Sequence, residues 1–204
     1  MLRKDDLHCG GAVVSKKHIV TAAHCVVDIE TYKSPAPQFS KEVLKKEFKI
    51  ILGANRYKNI ANDRAKNFTI QMVKVHENYS YTDGIRGYFD VAVITLVTEI
   101  DFDPYRIQPI CLPKYPSSKQ DEWDRLSGVV VGYAHGEEKE NPNVSITHMK
   151  IFSKKHCEAD LKRISNHQAK LKFGHSFKRG VEDTMICAKN HFNLEATCKG
   201  DSGK

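Results

Sequence analysis

The chain has 204 residues, a formal charge of +7 from 32 lysines and arginines against 25 acids, and 40% hydrophobic residues. That is enough to bury a core as one soluble domain without metals or extra staples, and all-β chains of about 200 residues routinely fold as a single unit. No apolar run reaches the roughly 18 residues of a membrane helix, and the opening MLRKDD lacks the apolar stretch of a secretory signal, so neither spanning nor self-targeting is expected of these residues.

In chain order, alternating residues predict a first clear strand at Phe48-Lys-Ile50-Ile-Leu52, closed by the turn signal Gly53-Ala-Asn55. A second follows at Phe68-Thr-Ile70-Gln-Met72, with a turn signal at Asp83-Gly84. The Pro-rich stretch from Leu112 through Pro113 and Pro116, polar as far as Gln120, is the best linker between two halves. Beyond Pro142 a third strand is predicted at Thr147-His-Met149-Lys-Ile151. Ser153 then offers an N-cap to a helix that aligns Cys157, Leu161 and Ile164 on one face. Many short strands separated by turns predict an all-β sandwich or barrel, and no internal repeat interrupts that pattern.

The six cysteines, at 9, 25, 111, 157, 187 and 198, form no Cys-x-x-Cys pair. Wide spacing of this kind points to disulfides and an oxidising compartment rather than to a zinc ribbon or redox motif. Three glycosylation triplets, beginning at Asn67, Asn78 and Asn143, agree with an extracellular protein, whose true N-terminus is then expected upstream.

Three segments carry chemistry. Thr21-Ala22-Ala23-His24-Cys25 sets a histidine among small residues beside a disulfide candidate, as a general base that must be held still requires. In Phe89-Asp90-Val91-Ala92-Val93-Ile94-Thr95-Leu96 an acid opens an apolar strand, where it needs a partner or a shifted pKa. Cys198-Lys199-Gly200-Asp201-Ser202-Gly203 places a serine between glycines, which allows a tight turn with an accessible Oγ and convergent N–H groups. Each alone has an ordinary reading as a structural histidine, a strand-end acid or a loop; together they run in the order His, Asp, Ser, one of the known triad orders.

These residues resemble the chymotrypsin-like (trypsin-like, peptidase S1) serine protease family. The resemblance rests on CGG at 9 to 11, TAAHC at 21 to 25, DVAVITL at 90 to 96, PICLP at 109 to 113, VVGYAH at 130 to 135 and GDSG at 200 to 203. It implies two antiparallel six-stranded β-barrels, the first in residues 1–112 and the second, incomplete, in 113–204, with the site between them. Ser202 is then the nucleophile, His24 the general base, Asp90 the group that orients the imidazole, and the amides of Gly200 and Ser202 the oxyanion hole. Family bridges join Cys9 to Cys25 and Cys157 to Cys187, with loop-closure contributions of about 3 and about 3.6 kcal/mol. Cys198 and Cys111 have no family partner within these residues, and Cys111 resembles the position that tethers an upstream regulatory segment. The resemblance implies no cofactor and no metal.

It also implies that both ends of the family domain lie outside these 204 residues. The Ile-Val-Gly-Gly-like start whose freed amine pairs with Asp201 in the activated zymogen is missing, as are the strands and helix that follow Gly203. On that reading the chain by itself is inactive or hydrolyses peptides poorly. Ala196, six residues before Ser202, stands where trypsin-like members carry Asp, which favours a small or apolar residue on the acyl side of the scissile bond. Tyr133 replaces the usual Trp of the VVGWG-like motif, a conservative departure.

Residues 154–179 hold eight basic residues (Lys154, Lys155, Lys162, Arg163, Lys170, Lys172, Lys178, Arg179) and two acids (Glu158, Asp160), leaving a local charge of +6. A solvated face is the plain reading; an exosite for an acidic protein or sulfated glycan is the functional one; the secreted context disfavours nucleic acid, and with no long apolar run no membrane partner is expected. The expected activity is secreted endopeptidase. The alternatives are a non-catalytic protease homologue serving as a binding or adaptor module, and a zinc site built from His8, Cys9, His24 and Cys25.

Overall fold

The computed structural model describes residues 1–4, 6–27, 41–56, 64–79, 88–113, 126–133, 144–163 and 180–190. In the first part of the chain, β1 (Leu2–Arg3), β2 (Asp6–Leu7), β3 (Ala12–Val13) and β4 (His18–Thr21) lead to a single 3-10 turn, Ala23–Cys25. Then come α1 (Lys41–Glu47), β5 (Phe48–Leu52), β6 (Lys66–Phe68), β7 (Ile70–Val75) and β8 (Ala92–Leu96). The later part holds β9 (Ser127–Gly132), β10 (Ser145–Phe152), α2 (Lys154–Arg163) and β11 (Cys187–Asn190).

The strands form two four-stranded sheets, ordered β2-β1-β5-β6 and β3-β4-β8-β7, and a three-stranded sheet ordered β11-β10-β9. Every ladder among the described residues is antiparallel. The all-β antiparallel class is the one expected, but among the described residues the sheets do not close into six-stranded barrels. Instead a corner joins the first two: β6 pairs with β5 and β7 pairs with β8, so one run of chain passes between sheets at Thr69. Val97 N–H donates to the Thr69 carbonyl at 3.0 Å, and the β7–β8 register slips between Ile70 and Met72, a bulge of the kind that bends a strand.

Ile19, Val26, Phe48, Ile50, Phe68, Ile70, Val73, Ile94, Leu96 and Ile100 belong to one core cluster, whose members all lie between Cys9 and Ile107. β4 and β8 meet in it because Ile19 stands opposite Ile94. The later sheet differs. Val131 faces Ile146 in the ladder, and both stay about half exposed, at 49% and 57%. Directional bonds link this part to the first: Tyr88 OH donates to the Gly180 carbonyl at 2.9 Å, Val144 N–H to the Asn55 carbonyl at 3.0 Å, and Tyr133 OH to the Ala54 carbonyl. Between them lies a cavity of about 730 Å³, lined in part by Gly11, Val13, Leu52, Ile110 and Val131.

The helix expected after Ser153 is α2, and Ser153 caps it, its Oγ accepting the His156 N–H at 3.5 Å while its carbonyl accepts the Cys157 N–H at 3.0 Å. Ile164, Asp83-Gly84, Pro116 and Pro142 lie outside the described residues. The Gly53 turn closes β5 with φ 75°, and a side chain there would also crowd Ile107 Cγ1 at 3.1 Å. Helix α1 has no counterpart in the sequence reading. It buries Leu44, and Glu42 in its first turn with Lys45 and Lys46 in its last complement its dipole. Disulfides join Cys9 to Cys25 and Cys157 to Cys187, with Cα separations of 6.2 and 6.1 Å; Cys111 is exposed and carries a free thiol.

His8 packs edge-on to Phe48, ring centroids 5.5 Å apart, and its Nε2 donates to the Cys25 carbonyl at 2.9 Å. Burial lowers its pKa from the ordinary 6.5, assisted by the nearby Arg3 and opposed by the Cys25 bond. The Met1 amine donates to the Cys9 carbonyl at 2.8 Å, and burial lowers its pKa from 8.0 to about 6.

Two stability predictions follow from this packing. Leu96 is fully buried, so Leu96→Ala should cost about 3–5 kcal/mol in urea unfolding, whereas Val129→Ala on the exposed face of β9 should cost less than about 1 kcal/mol; equal losses would contradict the placement of the core. Because the folded state holds the His8 proton less tightly than the unfolded chain does, stability is complete above the ordinary pKa and is lost as pH falls through the lowered one. Unfolding free energy measured from about pH 7 to pH 5 should therefore fall less steeply in His8→Gln, which keeps a donor for the Cys25 carbonyl.

Candidate active site

The β4–β8 ladder sets Thr21 opposite Ala92. Antiparallel pairing therefore brings the chain just after Thr21 and the chain just before Ala92 to one end of the sheet. His24 is three residues beyond the first and Asp90 two before the second, although 66 residues separate them in sequence.

The histidine arm is closely packed. Ala22 and Ala23 are buried, and their small side chains let the chain turn against the core. Cys25 N–H donates to the Ala22 carbonyl at 3.2 Å and Val26 N–H to the Ala23 carbonyl at 3.0 Å, which completes the 3-10 turn carrying His24. Thr21 Oγ1 donates to the Gly10 carbonyl at 2.8 Å, and the Cys9–Cys25 bridge ties the next residue to the same segment.

Asp90 meets this arm with both oxygens. Its Oδ2 lies 2.6 Å from His24 Nδ1, and its Oδ1 accepts the His24 backbone N–H at 2.9 Å. The two side chains are 23% and 20% exposed, sheltered enough to limit competition from water yet open on one side. A carboxylate can only accept, so Nδ1 carries the proton and Nε2 is the basic nitrogen. The second bond to the main chain fixes the carboxylate relative to the ring's own backbone. Such a pair can orient a general base and stabilise the imidazolium it becomes.

Ser202, the Gly200 and Ser202 amides, Ala196, Asp201 and Cys198 lie outside the described residues. Cys9, His24 and Cys25 do place ligand atoms within 4.8 Å of one another. The zinc alternative nevertheless fails on donor chemistry, since zinc takes thiolates and both sulfurs are spent in a disulfide, while His8 Nε2 is engaged by the Cys25 carbonyl. Of the basic segment, Lys154 pairs with Asp183 at 2.9 Å, a hydrogen bond that raises its pKa; Lys155, Lys162 and Arg163 lie on α2, and Lys170, Lys172, Lys178 and Arg179 lie outside the described residues. His76 and Phe89, which the sequence reading passed over, stack with ring centroids 4.8 Å apart beside Asp90. Only their nearness in sequence to the acid and to β7 offered a hint.

The family model described as Trypsin matches residues 1–204. The chain is 27% identical over 195 residues to the venom serine protease Bi-VSP of Bombus ignitus, covering 96% of this chain and 46% of that protein. It is 30% identical over 198 residues to clotting factor C of Tachypleus tridentatus, covering 97% of this chain and 17% of that protein. It thus spans less than half the length of these curated relatives. Among solved structures, neuropsin, a serine protease expressed in the limbic system of mouse brain, is similar with a TM-score of 0.65 and 18% identity, covering 98% of this chain and 71% of that one. A scabies mite inactivated protease paralogue is similar with a TM-score of 0.65 and 18% identity, covering 96% and 69%. No described helix is long and apolar enough to cross a membrane. With its antiparallel sheets and a whole-length family match, the chain belongs to the trypsin family of chymotrypsin-like serine proteases.

Proposed function

We propose that the chain is the catalytic portion of a secreted serine endopeptidase, with residues 1–112 supplying base and acid and residues 113–204 supplying the nucleophile. The observation that carries this reading is the pair of hydrogen bonds that the ring and main chain of His24 donate to the two oxygens of Asp90. In the proposed cycle Ser202 Oγ attacks the scissile carbonyl carbon while His24 Nε2 takes the hydroxyl proton. The Gly200 and Ser202 amides receive the oxyanion, and the imidazolium returns its proton to the leaving amine. Water then repeats the sequence on the acyl-enzyme. Asp90 acts through orientation and charge and keeps its own ionised state throughout.

Ala196 gives the specificity pocket no carboxylate, which supports a small or apolar residue on the acyl side of the cleaved bond. The exposed Cys111 thiol suits a bridge to an upstream regulatory segment, and the 154–179 segment suits an acidic partner.

The test uses the full-length activated protein and a fluorophosphonate, which captures an activated serine. Labelling is expected at Ser202 and should vanish in Ser202→Ala. Asp90→Asn should lower kcat by about 10,000-fold, a magnitude that belongs to the family's template rather than to this geometry. A folded, activated protein that takes no label would establish the non-catalytic alternative in place of this reading.

A further inference from the structure

We propose that Phe89 and His76 are positioning residues for Asp90, gripping the backbone on both sides of it so that its two carboxylate oxygens reach His24. The functional consequence rests on the catalytic reading above; the positioning itself does not.

Phe89 is one of three non-glycine residues with positive φ among the described residues, at 55°. Sterics disfavour that region for a bulky side chain, so its surroundings must hold it there. Val91 N–H donates to the Phe89 carbonyl at 2.7 Å, closing a three-residue turn with Asp90 at its centre. Asp90 thus projects from the apex of a tight, strained loop.

His76 straddles that loop. Its ring lies against the Phe89 ring, centroids 4.8 Å apart and planes 16° from parallel, while its backbone N–H donates to the Val91 carbonyl at 3.0 Å. One residue therefore holds the position before Asp90 by stacking and the position after it by a hydrogen bond. His76 is itself fixed, since its Nδ1 accepts the Asn78 N–H at 3.1 Å and its carbonyl accepts the Tyr79 N–H at 3.0 Å. On the other flank buried Tyr88 is anchored to the Gly180 carbonyl. Neither Phe89 nor His76 belongs to the buried core cluster, so their rings can be removed without opening it.

The experiment compares wild type, Phe89→Ala, Phe89→Tyr, His76→Ala and the Phe89→Ala/His76→Ala pair in the full-length activated protein, each checked for folding by thermal unfolding. Loss of either ring should lower kcat roughly 10- to 100-fold with KM little changed, the scale on which small misplacements act. Phe89→Tyr, which keeps the stack, should retain most of the rate, and the double variant should be no worse than the poorer single one because the rings act as a unit. A second readout needs no catalysis: the downfield NMR signal of His24 Nδ1–H, protected by Asp90, should broaden or disappear in both alanine variants. If wild type fails to turn over, that signal still decides the positioning, so the two readings fail separately. Should Phe89→Ala not fold, His76→Ala carries the same comparison. An unchanged His24 signal and kcat in the alanine variants, a rise in KM alone, or a Phe89→Tyr enzyme as poor as Phe89→Ala would overturn the proposal.

Discussion

The pairing of β4 with β8 is the constraint on which the site depends. Side chains alternate along a strand, so a slip of one residue would send the buried Ala92, Ile94 and Leu96 of β8 to the wrong face. Burial of Ile19 against Ile94, with Ala92 and Leu96 on the same side, opposes that slip. The register that satisfies the core also sets Thr21 opposite Ala92, and so brings His24 and Asp90 within one hydrogen bond. Hydrophobic packing and catalytic geometry are here the same fact seen at two ends of a ladder.

The two arms beyond that ladder are held by different means. On the histidine side a disulfide, buried small residues and main-chain hydrogen bonds leave little freedom. On the acid side the sequence holds no cysteine between Cys25 and Cys111, and Asp90 sits on a turn whose preceding residue is in a sparsely populated conformation. A strained turn persists only where neighbours over-determine it, and the stack and hydrogen bonds around His76 supply that restraint. Errors in the pair's geometry therefore enter more easily through Asp90 than through His24.

The features legible in the sequence were those with a local cause. Alternation located Phe48–Leu52 because Phe48 and Ile50 are buried on one face while Lys49 between them is exposed, and Ser153 announced α2 through its capping oxygen. The run from Phe68 to Met72 read as one strand, but the chain changes sheets at Thr69, and a change of partner leaves no mark on alternation. Helix α1, only seven residues long, owes its place to burial of Leu44 in a core assembled from distant strands. The closeness of His24 to Asp90 came from resemblance rather than spacing, since contact across 66 residues is decided by strand pairing. The Phe89 conformation and its partner His76 were illegible for the same reason: a stack between two loops is a tertiary event.

The later sheet shows what this arrangement asks of the connection between halves. Bonds from Tyr88, Tyr133 and Val144 cross to or from it, each worth on the order of 1 kcal/mol net, so they add modestly to stability. Hydrogen bonds are directional, however, and they fall at two places: Tyr133 and Val144 meet the adjacent residues Ala54 and Asn55, while Tyr88 meets Gly180. Tyr88 is the most consequential of them, because it stands two residues before Asp90 while its hydroxyl is bonded to Gly180. Gly180 lies in the later part of the chain, so its bond ties that part to the turn that presents the carboxylate, where the Phe89–His76 stack braces the residue beside Asp90.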